Sequence, residues 1–205
     1  MSDKQFMKDN QTERMDAMDP FFNHIRRKYH MKRYFFANEH IHGDVLDAGC
    51  GLGYGSTIVC TDGLYTGLDV SKEAIAYASK YYPNNYIVGS LDNPRVLGDR
   101  TYDSIICFEV LEHLDNPIVA LQVFHKHLKD KGTLVLSIPN ESTIGLHHKR
   151  IITLRELKDM VGSLFSSYQM YFANNSARLH SGIFKIEEYE WSNKPETFIC
   201  VARKD

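Results

Sequence analysis

From about residue 43 onward, short apolar runs alternate with stretches whose apolar side chains recur every three or four positions. The runs at residues 45–48, 65–68, 86–88, 103–108 and 133–138 have the length and the branched or aromatic content of buried strands. Between and after them, residues 54–60, 72–81, 117–128 and 154–165 carry the helical period. Such alternation predicts an α/β fold with a mostly parallel sheet, because consecutive parallel strands need a helical crossover. Local signals mark several boundaries. Asn116 before Pro117 has the form of an N-cap followed by a favoured first helical residue, Thr153 and Glu156 have the capping-box spacing, and Gly132 suits the close of the preceding helix. Residues 168–172 and 197–202 are strand-like with no helical pattern between them, which predicts two antiparallel edge strands. The segment 174–196 reads as a long loop or an added hairpin.

Upstream of residue 43 the pattern changes. Phe22, Ile25, Tyr29 and Phe36 recur at helical spacing from Pro20 onward, interleaved with Arg26, Arg27, Lys28, Lys32 and Arg33. This predicts an amphipathic helix ending near Gly43, with a basic face that is solvated. Residues 1–19 hold too few apolar side chains to pack on anything and read as a tail or a loosely docked cap. The chain therefore divides into residues 1–42, tail and amphipathic helix, and residues 43–205, the α/β domain.

Composition narrows the function classes. A length of 205 residues fits one domain with a single core. A net charge of −2 supplies no field that would draw the whole molecule onto nucleic acid or an anionic membrane. No apolar run approaches the roughly 20 residues of a membrane span, so a cytoplasmic protein is expected, with no membrane partner. Cys50, Cys60, Cys107 and Cys200 lack C-x-x-C spacing and read as reduced thiols, mostly in the core.

The segment VLDAGCGLGYGS follows the first predicted strand. In an open parallel sheet that is where ligands bind, and glycines there let the backbone turn sharply and approach a ligand closely. Asp69 ends the next strand about 20 residues later, where a carboxylate accepts hydrogen bonds from ribose hydroxyls. A nicotinamide or flavin site needs G-x-G-x-x-G, but counting from Gly49 the third required position is Tyr54. An acidic residue, Asp47, precedes the turn and suits a cofactor carrying an ammonium group rather than a pyrophosphate. These features point to S-adenosylmethionine.

VLDAGCGLGYGS, TGLDVS, YDSIICFEVLEHLDNP and KGTLVLSIPN resemble, in order, the motifs of class I S-adenosylmethionine-dependent methyltransferases. The resemblance runs from Val45 to the last strand. It implies a Rossmann-like, doubly wound, mostly parallel seven-stranded sheet with an antiparallel C-terminal strand, and a methyl-transferring enzyme. Carried over, Asp47, Ala48 and the backbone of Gly49, Cys50 and Gly51 would hold the methionine part of the cofactor, and Asp69 the ribose. Val70 would flank adenine, Ser90, Leu91 or Asp92 would meet the adenine amine, and Phe108 would lie beside the cofactor. YHMKRYFFA resembles a helix that closes over the cofactor in some relatives, with Tyr29 and Arg33 as candidate contacts.

The chemistry-bearing residues cluster after the fourth strand, in FEVLEHL. Methyl transfer to a hydroxyl needs its proton removed, and an imidazole titrates near neutrality, so His113 is a candidate general base, with Glu109 beside it. The same text admits a metal site, because Glu109, Glu112 and His113 would share one face of a helical turn. His147 or His148 is available as a fourth ligand, and oxygen and imidazole ligands favour magnesium or manganese. E-x-x-E-H followed by a later histidine resembles the metal site of small-RNA 3′-terminal ribose methyltransferases, and His148 fits that histidine best. Ubiquinone-pathway O-methyltransferases and sugar-modifying relatives carry similar text. SIPN, Ser137 to Asn140, opens a loop that should face the substrate. The expected activity is O-methylation of a small metabolite or of a sugar or glycan precursor. The alternatives are metal-assisted RNA ribose 2′-O-methylation and a non-catalytic cofactor-binding subunit.

Overall fold

The computed structural model describes residues 24–140, 148–173, 183–185 and 196–205, with side chains left undescribed at 24–29 and 183–185. The tail, His147 and most of 174–196 lie outside these residues. The strands are β1 (Val45–Ala48), β2 (Tyr65–Asp69), β3 (Asn85–Val88), β4 (Tyr102–Phe108), β5 (Leu128–Pro139), β6 (Ser167–Ala173), β7 (Ile183–Lys185) and β8 (Thr197–Arg203). The helices are α1 (His24–Ala37), α2 (Lys72–Tyr81), α3 (Pro117–His127) and α4 (Leu154–Gly162). Residues 54–60, expected as a helix, form only a 3₁₀ turn, Tyr54–Thr57, and a second such turn covers Leu111–His113.

The strands form one sheet in the order β3-β2-β1-β4-β5-β8-β6-β7. β1 to β5 are mutually parallel, and the C-terminal strand β8 runs antiparallel to both of its neighbours, β5 and β6. The expected Rossmann-like sheet of seven strands is present, and the short β7 pairs antiparallel with β6 at the far edge. The expectation of two antiparallel edge strands needs correction. β8 lies inside the sheet, and β6, beyond it, runs in the same sense as β1 to β5. The reason is burial on both faces: Phe198, Ile199, Cys200, Val201 and Ala202 are all buried, which suits a strand inside a sheet covered on both faces rather than an edge with a solvated face.

The side-chain alternation of the strands sorts the core into two layers. Leu46, Ile105, Cys107, Leu134, Leu136, Cys200 and Ala202 pack on one face with Leu121 and Phe124 of α3 and Leu157 and Val161 of α4. Val45, Ile106, Val135, Ile199 and Val201 pack on the other face with Tyr34, Phe36 and Ala37 of α1. The last turns of α1 therefore share a core with the sheet across the boundary expected at residues 42 and 43. Cys50, Cys107 and Cys200 are buried, Cys60 is exposed, and all four are free thiols.

Gly132 does not close a helix. α3 ends at His127, the chain enters β5 at once, and the pairing with β4 shifts register between Tyr102 and Ser104. Lys131, with φ 63°, takes the left-handed turn in that irregularity. Asn116 does occupy the N-cap of α3, but its side chain makes no capping bond there. The capping box of α4 is complete: Thr153 Oγ1 accepts from the Glu156 N–H at 3.2 Å, and the Thr153 N–H donates to Glu156 Oε2 at 2.8 Å. Thr153→Ala is expected to destabilise the protein by about 1 kcal/mol, because an orphan N–H of the first turn loses its acceptor. Thr153→Ser should be nearly neutral, and thermal denaturation of both variants checks the difference.

Candidate functional site

β1 turns away from β4 towards β2, and the strand order reverses there, which is where the crevice of such a sheet lies. The C-terminal ends of β1, β2, β3 and β4 deliver Gly49 to Gly51, Asp69 and Val70, Gly89 to Asp92, and Phe108 to Val110 to the wall of one cavity of about 350 Å³. Binding pockets for small molecules span roughly 300–1,000 Å³. The rest of the wall comes from α1, through His30, Arg33 and Tyr34, and from Tyr54, Leu68, His113, Leu114 and Lys149.

The glycine loop is tied to the end of β2. The Gly49 and Cys50 N–H groups both donate to the Leu68 carbonyl, at 2.7 and 3.0 Å. The Gly51 N–H donates to Asp69 Oδ2 at 3.0 Å, and the Ser71 N–H to Asp69 Oδ1 at 2.8 Å. Each carboxylate oxygen keeps acceptor capacity for a hydroxyl. Gly51 has φ 54°, and a Cβ built there would meet nothing within 4 Å. It would project into open space, so this is a bare backbone cradle. An acceptor for ribose hydroxyls, a bare backbone and the apolar Val70 and Leu91 beyond it fit a nucleoside carrying an aliphatic tail. Cys50 lines the cavity, but burial, with Asp47 and Asp69 adding to it, pushes its thiol up, so it stays protonated and unreactive.

Asp47 and Ala48 do not reach the cavity wall. Asp47 is 1% exposed and lies beneath the loop, where its Oδ2 accepts from the Tyr65 hydroxyl at 2.6 Å and the Tyr34 hydroxyl at 3.0 Å. From there the carboxylate could act on a ligand only through space and through the loop backbone, not by contact. Burial raises its pKa from 3.8 to about 6, opposed by the two phenol hydrogen bonds and assisted by the charge of Asp69. The folded state thus holds this proton more tightly than the unfolded chain. Stability is full below the unfolded value and declines as pH rises through the folded one, so ionised Asp47 costs the fold stability.

Another part of the cavity wall comes from the end of β4 and from α1. Glu109 takes a left-handed conformation, φ 55°, immediately after β4. This turns its side chain towards the sheet, where Oε1 accepts from Ser137 Oγ at 2.7 Å and Oε2 lies 3.5 Å from the Arg33 guanidinium. Arg33 is 6% exposed and also donates to Thr197 Oγ1 at 3.3 Å and meets His30 Nδ1 at 3.3 Å. Arg33 thus joins α1 to β4 and β8. The SIPN segment contributes through Ser137, and the loop following Asn140 lies outside the described residues.

Glu112, His113 and His148 come together, with one ligand atom from each lying within 4.8 Å of the others. The two imidazoles meet edge to face at 4.8 Å between centroids, and the Lys149 N–H donates to the Glu112 carbonyl at 2.9 Å. Glu109 is not in this group. The expected single face for Glu109, Glu112 and His113 is absent because the segment is a three-residue 3₁₀ turn entered through a left-handed residue, not a continuous α-helix.

Of the residues singled out in the sequence, Arg33, Gly49, Cys50, Gly51, Asp69, Val70, Ser90, Leu91, Asp92, Phe108, Glu109 and His113 do line the cavity. The side chain of Tyr29 lies outside the described ones. His30, Tyr34, Tyr54 and Leu114 also line the cavity; they fall inside motifs quoted from the sequence but were given no contact there, and Lys149 had no signal at all.

The fold and the crevice define an α/β domain that binds a nucleoside-bearing cofactor at the switch point of its sheet. Residues 5–191 match the sequence profile of a family described as "Methyltransferase domain", and the chain belongs to that family, among the class I S-adenosylmethionine-dependent methyltransferases. A probable S-adenosylmethionine-dependent methyltransferase of Mycobacterium tuberculosis is 31% identical over 101 residues, 49% of this chain and 37% of the relative. A ubiquinone biosynthesis O-methyltransferase of Photobacterium profundum is 30% identical over 104 residues, 48% of this chain and 44% of the relative. The chain spans less than half the length of these two curated relatives. Among solved structures, a SAM-dependent methyltransferase from Archaeoglobus fulgidus shares the fold with a TM-score of 0.68 at 17% identity, covering 98% of this chain and 100% of that one. A plantazolicin methyltransferase in complex with SAH shares it with a TM-score of 0.61 at 17% identity, over 98% and 99% of the two chains.

Proposed function

We propose that this protein transfers the methyl group of S-adenosylmethionine to a hydroxyl oxygen of a small metabolite or of a sugar or glycan precursor, with His113 as general base. The observation that carries this reading is that His113 lines the same cavity as Gly49 to Gly51 and Asp69. Curated relatives named as O-methyltransferases support oxygen as the acceptor atom. The bound cofactor supplies a methyl carbon activated by its sulfonium. The chain's residues align an acceptor oxygen in line with that carbon and take the hydroxyl proton onto an imidazole nitrogen of His113 as the O–C bond forms and the S–C bond breaks. Arg33 and Ser137 hold Glu109 at the edge of this space, where it can accept a hydrogen bond from a second acceptor hydroxyl. Incubation with methyl-labelled cofactor and a panel of phenols, sugars, amines and short RNAs tests the proposal. Label in alkali-stable ethers of the phenols or sugars is the expected result, and label confined to amines or RNA contradicts it.

A second reading is favoured by the meeting of Glu112, His113 and His148. One carboxylate and two imidazoles suit manganese better than magnesium, which prefers oxygen ligands, and manganese held there would polarise an acceptor oxygen such as a terminal ribose 2′-hydroxyl of RNA. His113 would then be a ligand and not a base, and Glu109 would join only by leaving Ser137 and Arg33. Activity is expected to survive EDTA unchanged. Loss in EDTA with recovery in manganese, together with metal in elemental analysis, would replace the first reading with the second. A non-catalytic cofactor-binding subunit would give no transfer to any acceptor while retaining cofactor affinity.

A further inference from the structure

Asp47 is a buried ionisable group to which the reaction above gives no part. It sits under the glycine loop at the end of β1, and both phenols that reach it arrive on the same oxygen, Oδ2. Tyr65 comes from the neighbouring strand β2 and is part of the sheet. Tyr34 comes from α1, outside the sheet, and its ring does more than reach the carboxylate. It lines the cavity, and it stands edge-on to Tyr54 at 5.5 Å and to Phe108 at 5.2 Å. It also fills the place a Cβ on Gly55 would occupy, 2.5 Å from the ring. One side chain therefore touches the acid before the glycine loop, the end of that loop and the cavity wall.

The charge environment makes the two phenols matter. Among the described residues, the ionisable groups that act on Asp47 or feel its charge are Tyr34 from α1, Tyr65 and Asp69 from β2, Cys50 from the loop, Tyr86 from β3 and Cys107 from β4. None is a cation. Burial and Asp69 both oppose ionisation, and the phenol donors favour it. The phenols themselves stay protonated, since burial, with Asp47 adding to it, pushes both of them up.

We propose that Tyr34 is a positioning residue for cofactor binding: its hydroxyl, delivered by α1, holds Asp47 ionised beneath the glycine loop, so that the ammonium-bearing end of the cofactor meets negative charge only when α1 is docked. The helix thereby sets cofactor affinity from outside the loop, through a group the cofactor need not touch. This rests on S-adenosylmethionine being the cofactor and is independent of the acceptor.

The test is calorimetric binding of S-adenosylhomocysteine, which keeps the ammonium group, between pH 5.5 and 8. Wild-type binding at pH 8 examines the cofactor itself, and the variants examine Tyr34. Affinity of the wild type is expected to fall as pH drops through about 6, where Asp47 takes its proton. Tyr34→Phe keeps the ring packing and removes one donor to a charged acceptor, so the midpoint is expected to rise by about one pH unit. Affinity would then be about fivefold weaker than wild type at pH 6 and within about twofold at pH 8. Tyr65→Phe should shift the midpoint in the same direction, and Asp47→Asn should flatten the profile. A Tyr34→Phe profile with the wild-type midpoint, whether uniformly weakened or unchanged, would assign Tyr34 to packing alone and overturn the proposal. If Tyr34→Phe fails to fold, the Asp47→Asn profile decides: a curve that still bends where the wild type does overturns the proposal, and a flat curve supports it.

Discussion

His113→Ala is expected to slow methyl transfer by about 10²- to 10⁴-fold, the usual contribution of a positioned general base, while S-adenosylhomocysteine affinity stays within about twofold of wild type. The two effects separate because the elements do. The cofactor cradle is made by the loops after β1, β2 and β3, and His113 sits on the 3₁₀ turn after β4. The backbone of that turn is held by the His113 N–H donating to the Val110 carbonyl at 3.0 Å and by buried Leu111, and neither needs an imidazole. His113→Gln refines the result, since an amide can hydrogen-bond a hydroxyl but cannot take its proton. A variant as slow as the alanine supports proton removal, and one near wild type limits His113 to orientation. Single-turnover rates at saturating cofactor, with affinity measured in parallel, distinguish these outcomes from loss of cofactor. Full activity in His113→Ala would sink the base assignment.

The second large effect is expected at the glycine loop. Gly49→Ala should weaken S-adenosylhomocysteine binding by at least about tenfold, or 1.4 kcal/mol, and lower the melting temperature. Gly49 has φ 88°, and an added Cβ would lie 2.3 Å from Cγ2 of Val110. The conformation alone costs about 1–2 kcal/mol for a residue with a Cβ, and forcing a methyl group into a packed wall adds about 1–3 kcal/mol. Relief of either strain moves the Gly49 N–H off the Leu68 carbonyl, and with it the loop that forms the cradle. Adding Val110→Ala removes the clash but not the backbone cost. The double variant should therefore recover part of the loss, and a thermodynamic cycle on binding and stability measures that part. Tolerance of Gly49→Ala with undiminished affinity would mean that the loop does not require this conformation.

Both predictions draw on positions that the text of the chain already marks, but in different ways. Gly49 and Asp69 are legible because their roles are local: a sharp turn after a strand, and a carboxylate at the end of the next one. The same holds for the Thr153 capping box, for α2, whose bounds at Lys72 and Tyr81 agree with its periodicity, and for β1 at Val45–Ala48. Glu109 is different. Its spacing to Glu112 and His113 suggests one face of a helix, and only the left-handed turn at Glu109, with Ser137 from 28 residues downstream, turns it towards Arg33 instead. Tyr34 and Tyr65 give no sign in sequence that they share one oxygen of Asp47, since 31 residues separate them and no periodicity links α1 to β2.

The chain's own order of residues determined the alternation of strand and helix, the glycine turn with its flanking acids, and the cofactor class those imply. These depend on contacts within a few residues, where backbone preference and side-chain period act directly. The tertiary structure alone decided that β8 enters between β5 and β6, that Asp47 lies beneath the loop and not on the cavity wall, and that Glu112, His113 and His148 meet while Glu109 faces Arg33. Each of these is a contact between segments far apart in the sequence. Such pairings are set by which buried surfaces fit together, and no local preference encodes that.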